Sequence, residues 1–143
     1  MVEETLFHVC DRAYSPGETK PAGSYWAGLV LAGHSALNDP DGEFVREEIR
    51  SANYAHLPSR ANSSFVFETM ADAQFFRDNF KPKASIYEVR FVDPSAPRHR
   101  VTWSAFQTAS PIPCSIQAHE FWSGVLLYSS NVEIFAESDL LFL

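Results

Sequence analysis

The sequence predicts an α+β fold. Three observations lead there: short alternating apolar runs crowd both ends of the chain, amphipathic helical stretches fall between them, and strands and helices do not alternate as a doubly wound parallel sheet requires. With 143 residues, 45% hydrophobic and 14% aromatic, the chain has enough apolar surface for one core. It carries no internal repeat or low-complexity tract, so residues 1–143 read as a single domain.

The first strand, about residues 5 to 10 in "TLFHVCDR", puts Leu6, His8 and Cys10 on one face and Phe7 and Val9 on the other. The turn-rich stretch "DRAYSPGETKPAGS" reads as a loop, and it is long for a connector, as loops with a functional role inside compact domains often are. "YWAGLVLA" at 25–32 fits a strand or a short helix. The clearest helix is "DGEFVREEIRSAN": Asp41 can cap it, Phe44, Val45, Ile49 and Ala52 form an apolar stripe, and Glu43/Arg46 and Glu47/Arg50 are i,i+3 pairs.

"SSFVFET" is a strand with Phe65 and Phe67 on one side. "TMADAQFFRDNF" follows as a helix, with Thr69 and Asp72 in capping-box positions and Ala73, Phe76 and Phe80 on one face. "SIYEVRFV" is a strong strand at 85–92, with Tyr87, Val89 and Phe91 on a common face; "RVTWSAF" is a further extended piece. "SIQAHEFWSG" reads as a short helix ended by Gly124, and "VEIFAE" and "DLLFL" close the chain as two strands.

A formal net charge of −7 disfavours generic binding to nucleic acid or acidic membranes and favours a small-molecule or protein partner. Cys10 and Cys114 are far apart and outside any C-x-x-C, so they read as buried thiols of a reducing compartment rather than as a disulfide or metal knuckle. "MVEETLFHV" has no basic region followed by an apolar one, and no apolar run is long enough for a membrane span. The expected location is cytoplasmic, or another cell's cytoplasm if the protein is a delivered effector.

Familiar catalytic motifs fail one by one. There is no G-x-G-x-x-G and no P-loop; "AGHSAL" lacks the second glycine of a nucleophile elbow, and His119-Glu120 lacks the second histidine of a zinc protease, with Ser123 in its place. No metal is expected. The histidines at 34, 56, 99 and 119 lie in polar or turn-like surroundings and read as surface groups. His8 differs because core-type residues flank it, and a buried imidazole needs a partner for each ring nitrogen. Residues alone favour a satisfied core histidine. Glu133, sharing a face with Phe135, is either solvated or held in a cleft. Arg60, just ahead of a strand, is either a surface group or a clamp for an anion.

Taken in order, "LFHVCDR", "EEIRSANYAHLPSRANSSFVF", "HEFWSG" and "NVEIFAESDLLFL" resemble the ADP-ribosyltransferase-like superfamily, by way of a bacterial domain family associated with that fold. The resemblance spans most of the chain. It implies a split α+β fold in which two small, roughly perpendicular sheets with flanking helices enclose a central NAD cleft. In the His-Tyr-Glu class of that superfamily a histidine lies on the first strand, a tyrosine on a middle strand and a glutamate at the start of a late strand. His8 matches the first position and Glu133 the last, with Glu120 a weaker rival; Phe65 or Phe67 stands where tyrosine is usual. A phenyl ring can stack on nicotinamide but lacks the hydroxyl.

The implied activity is NAD-dependent mono-ADP-ribosyl transfer to an unidentified protein, nucleic acid or small molecule, as in bacterial toxins, effectors and resistance enzymes. Glu133 and His8 would be catalytic, and His8, Arg60, Phe65, Phe67 and Arg12 would bind NAD. The alternative is a non-catalytic protein-interaction module on the same fold. An RNA-end-processing transferase is a third reading, disfavoured by the chain's acidity.

Overall fold

A computed structural model of the protein describes residues 4–23, 40–102, 114–125 and 131–143. Within them the chain forms strand β1 (Leu6–Cys10), the two-residue β2 (Thr19–Lys20), helix α1 (Pro40–Asn53), a 3-10 turn (Arg60–Asn62) and β3 (Ser64–Phe67). Helix α2 (Met70–Phe80), β4 (Ser85–Phe91), β5 (Arg98–Thr102), α3 (Cys114–Ser123), β6 (Val132–Ala136) and β7 (Leu140–Phe142) follow. Among the described residues the architecture is α+β: three α-helices and one antiparallel sheet of seven strands, in the order β2-β7-β4-β1-β3-β6-β5.

Side-chain alternation gives the sheet two apolar faces. On one, Val9, Phe67, Val101 and Phe135 pack beneath the helices against Ala73, Phe121 and Trp122, with Phe7, Ile49 and Phe76 at the margin. The other gathers Leu6, Val66, Val89, Phe91, Ile134, Leu140 and Phe142, and Tyr14 lies flat on Phe142 with ring centroids 4.1 Å apart. Strands buried on both faces explain why β6 is buried at all five positions, Glu133 included.

Helix ends follow their local chemistry. Pro40 is the first residue of α1, a position where a missing N–H costs nothing, so Asp41 lies within the helix rather than at its cap. Thr69 caps α2 by accepting from the Asp72 N–H at 3.1 Å, and Gly124 follows α3 at φ 91°, the left-handed conformation that ends a helix at low cost. Trp122 Nε1–H donates to the Arg46 carbonyl at 2.8 Å and ties α3 to α1.

Three expectations change. The loop after β1 contains β2, because Thr19 and Lys20 find free edge groups on β7, opposite Leu141 and Leu140. His99 is not a surface group: it is buried, its Nε2–H donates to the Phe121 carbonyl at 2.7 Å, and its ring lies among Phe121, Trp122 and Phe135. Where two sheets are expected, the hydrogen-bonded order is continuous, although β1 and β3 share a single register pair, Phe7 with Phe67. The readings of 25–32, of His34 and of the end of "RVTWSAF" lie outside the described residues, as do the side chains of Asp41, Glu43, Phe44 and Cys114. Among the described residues no helix is long and apolar enough to cross a membrane.

Candidate functional site

The seam between β1 and β3 organises the candidate site. Neighbouring strands usually share a ladder; β1 pairs with β4 over five residues, from Leu6 with Val89 to Cys10 with Ser85. Toward β3 it has only Phe7 with Phe67, and the next link is a side chain, His8, whose Nδ1 lies 2.7 Å from the Phe65 carbonyl.

That bond fixes the imidazole's tautomer. A carbonyl can only accept, so Nδ1 carries the proton and Nε2 is left with a lone pair. Lys20 Nζ donates to Nε2 at 3.0 Å. Burial, reinforced by the positive charges of Lys20 and Lys81 and opposed by the Phe65 carbonyl, holds the His8 pKa down at about 4. His8 is therefore a neutral ring with an acceptor nitrogen toward Lys20.

Glu133 is placed by pairing on the other side of the sheet. It lies opposite Phe67 on β3 and Val101 on β5, and Phe67 lies opposite Phe7 on β1, so all four share the helix-covered face. His8, one residue on from Phe7, belongs to the opposite face and meets the Phe142 ring edge-on at 6.1 Å. Glu133 Oε1 instead accepts from Arg60 Nη1 at 2.7 Å, and both side chains are only 7% exposed.

Several contacts deliver Arg60 to that point. Arg50 binds Glu47 and donates to the Leu57 carbonyl at 3.1 Å, Ser59 Oγ donates to Glu47, and Ser63 Oγ donates to the Ser59 carbonyl at 2.6 Å. The 3-10 turn then starts at Arg60, whose guanidinium carbon lies 4.8 Å from the centroid of Phe65 and 5.2 Å from that of Phe135. Gly23 approaches the same turn: at φ 69° its N–H donates to the Ser63 carbonyl, and a Cβ there would come within 2.7 Å of the Ala61 carbonyl.

The start of β6 is held by Asp72, which accepts from the N–H groups of Asn131 and Val132 at 3.0 and 3.3 Å. Asn131 has φ 56°, a left-handed conformation that asparagine tolerates better than most residues. The residue before Glu133 is thus fixed from α2.

The sequence-derived residues divide accordingly. Arg60, Phe65 and Glu133 come together, and His8 joins them through the Phe65 backbone, so Phe65 is touched at its carbonyl from one face and at its ring from the other. Phe67 is 3% exposed and packs on Phe76 with centroids 5.1 Å apart, which leaves its ring no face for a ligand. Arg12 is exposed on the His8 side, 5.4 Å over the Tyr14 ring, away from Arg60. Glu120 lies on α3.

Two residues escaped the sequence reading. Lys20 sits in the turn-rich stretch after β1, and nothing in its spacing puts it beside His8; its contact arises because β2 takes an edge three places from β1 and the side chain reaches back. Asp72 was legible as a capping residue, but not as a link to β6. Among the described residues there is no group of three or more His, Cys, Asp or Glu able to hold a metal ion. No protein-family model and no curated protein matches the chain.

Proposed function

We propose that the protein binds NAD at the β1/β3 seam and transfers ADP-ribose from it to an acceptor, on an ADP-ribosyltransferase-like fold. One observation carries the reading: the seam is bridged by the His8 ring on one face of the sheet and flanked by the Arg60–Glu133 pair on the other, and Phe65 touches both, at its carbonyl and at its ring. A sheet thinned to one register pair between its halves is the nearest counterpart here to the split sheets that the resemblance implies.

The residues have matching chemistry. His8 Nε2, an acceptor, suits a ribose hydroxyl, and the half-buried Phe65 offers an aromatic surface. Bound NAD supplies the ADP-ribosyl group, whose bond to nicotinamide breaks with positive charge developing on the ribose. Glu133 is the carboxylate that opposes this charge, and Arg60 holds its orientation from the 3-10 turn. The acceptor is a protein, nucleic acid or small molecule, with protein favoured by the chain's charge of −7. Action in the cytoplasm, in the producing cell or in one receiving the protein as an effector, belongs to the same reading.

Incubation with labelled NAD and a cell lysate tests it. The expected result is nicotinamide release and a labelled acceptor, with Glu133→Gln reducing both by about a hundredfold or more. Equal, background-level release from wild type and variant counts decisively against the activity.

A second reading has its own support. Arg60 already neutralises Glu133, and the aromatic position holds phenylalanine, which together fit a non-catalytic protein-interaction module on the same scaffold. Calorimetry separates the two: a partner protein bound without measurable NAD binding favours the module.

A further inference from the structure

The chain is acidic overall, yet the end of β1 is cationic. Lys20 reaches His8 from β2, Arg12 lies two residues past β1, and Lys81, just past α2, approaches Asp11 at 3.8 Å. Asp11 offsets one of these charges. Among the described residues Lys20 and Arg12 have no carboxylate within ion-pair distance: the former donates to a neutral imidazole, the latter lies over Tyr14.

Such a grouping is unfavourable by itself. Lys20 is half-buried, and burial first of all lowers its pKa; Cys10 opposes that shift, while the like charges of Lys81 and Arg12 add to it. A chain with 18 acidic side chains has ample means to balance two cations, and here the fold leaves them unbalanced beside an acceptor nitrogen. Arg60, the other arginine expected to meet an anion, is committed to Glu133 on the far face.

We propose that Lys20 and Arg12 form a phosphate-binding site beside His8, in which Lys20 exchanges the imidazole nitrogen for a phosphate oxygen and frees that nitrogen for a sugar hydroxyl. The ammonium supplies a compact charge and the guanidinium a planar pair of donors, the combination that suits a phosphate or pyrophosphate. His8 then reads the sugar beside it, so the ligand class is a sugar phosphate. Its identification with the pyrophosphate of NAD rests on the function proposed above; the anion site itself does not.

The test is calorimetric titration of the full chain with sodium pyrophosphate and with ADP-ribose, at low and high salt, alongside nitrogen NMR of the His8 ring. Wild type should bind both probes more weakly at high salt, and ADP-ribose should shift the Nε2 resonance. Lys20→Met should weaken both probes by about tenfold or more, and Lys20→Arg, which keeps charge and donors, should restore most of the affinity. The site is overturned if wild type binds neither probe, or if Lys20→Met binds them as wild type does while its melting curve shows it folded. Pyrophosphate binding that depends on Lys20, without nicotinamide release from NAD, removes the proposed activity and keeps the site; NAD turnover with ADP-ribose affinity indifferent to Lys20 does the reverse.

Discussion

Arg60 and Glu133, 73 residues apart in sequence, meet at 2.7 Å inside the core and join the 3-10 turn to the β6 strand. A pair this deep depends on both members, because removing one takes from the other the ion-pair partner at 2.7 Å that offsets its buried charge. Arg60→Met or Glu133→Leu alone should cost about 3–5 kcal/mol, whereas the double variant should regain most of the loss. Urea denaturation of the four proteins gives the cycle, and additive single costs would show that the pair is not coupled.

Acid should destabilise the protein earlier than its carboxylates alone require. The His8 pKa falls from 6.5 to about 4 on folding, mainly by burial, so between these values the unfolded chain binds the extra proton. Stability is therefore full above about pH 6.5, declines as pH falls toward 4, and loses roughly 3 kcal/mol from this group over that window. His99, lowered by burial as well, adds a loss of the same sign. Chemical denaturation at pH 7 and pH 5 should show a smaller drop for His8→Gln than for wild type.

Asp72 acts at a distance from its own helix. Asp72→Ala removes the acceptor for the Asn131 and Val132 N–H groups and should cost about 1–3 kcal/mol. Hydrogen exchange localises the effect: both amides should lose protection, while β4 amides such as Val89 keep theirs. Thr69→Ala, which removes the helix cap, should cost about 1 kcal/mol.

Two glycines with similar backbones should respond differently to the same change. Gly17 and Gly23 both have positive φ, but a Cβ at Gly17 meets open space and one at Gly23 meets the backbone of Ala61 and Asn62. Gly17→Ala should cost about 1 kcal/mol, for strain alone, and Gly23→Ala clearly more, with the turn that carries Arg60 displaced. Melting temperatures of the two variants provide the comparison.

The strands were legible where alternation was strong: β1, β4, β6 and β7 fall within about a residue of the expected segments and β3 within two, and the helices end near Gly124 and begin near Thr69 as their capping residues imply. Local pattern fails where pairing decides. The β2 strand exists because the β7 edge accepts it, and His99 is buried because β5 lies under α3, a contact that its polar neighbours in "PRHR" conceal. The site follows the same division. His8 and Glu133 stood out as polar residues inside apolar strands, but only register assigns them opposite faces, and only topology brings Lys20 back to the first strand.

At the seam, one imidazole stands in for a stretch of missing backbone ladder. The ring's two nitrogens communicate electronically, so whatever engages Nε2 alters the acidity of Nδ1–H and with it the grip on the Phe65 carbonyl. Position 8 thus serves two ends at once, cohesion between the half-sheets and contact with whatever meets Nε2, and a change of partner at that nitrogen should be felt in the bond that joins β1 to β3.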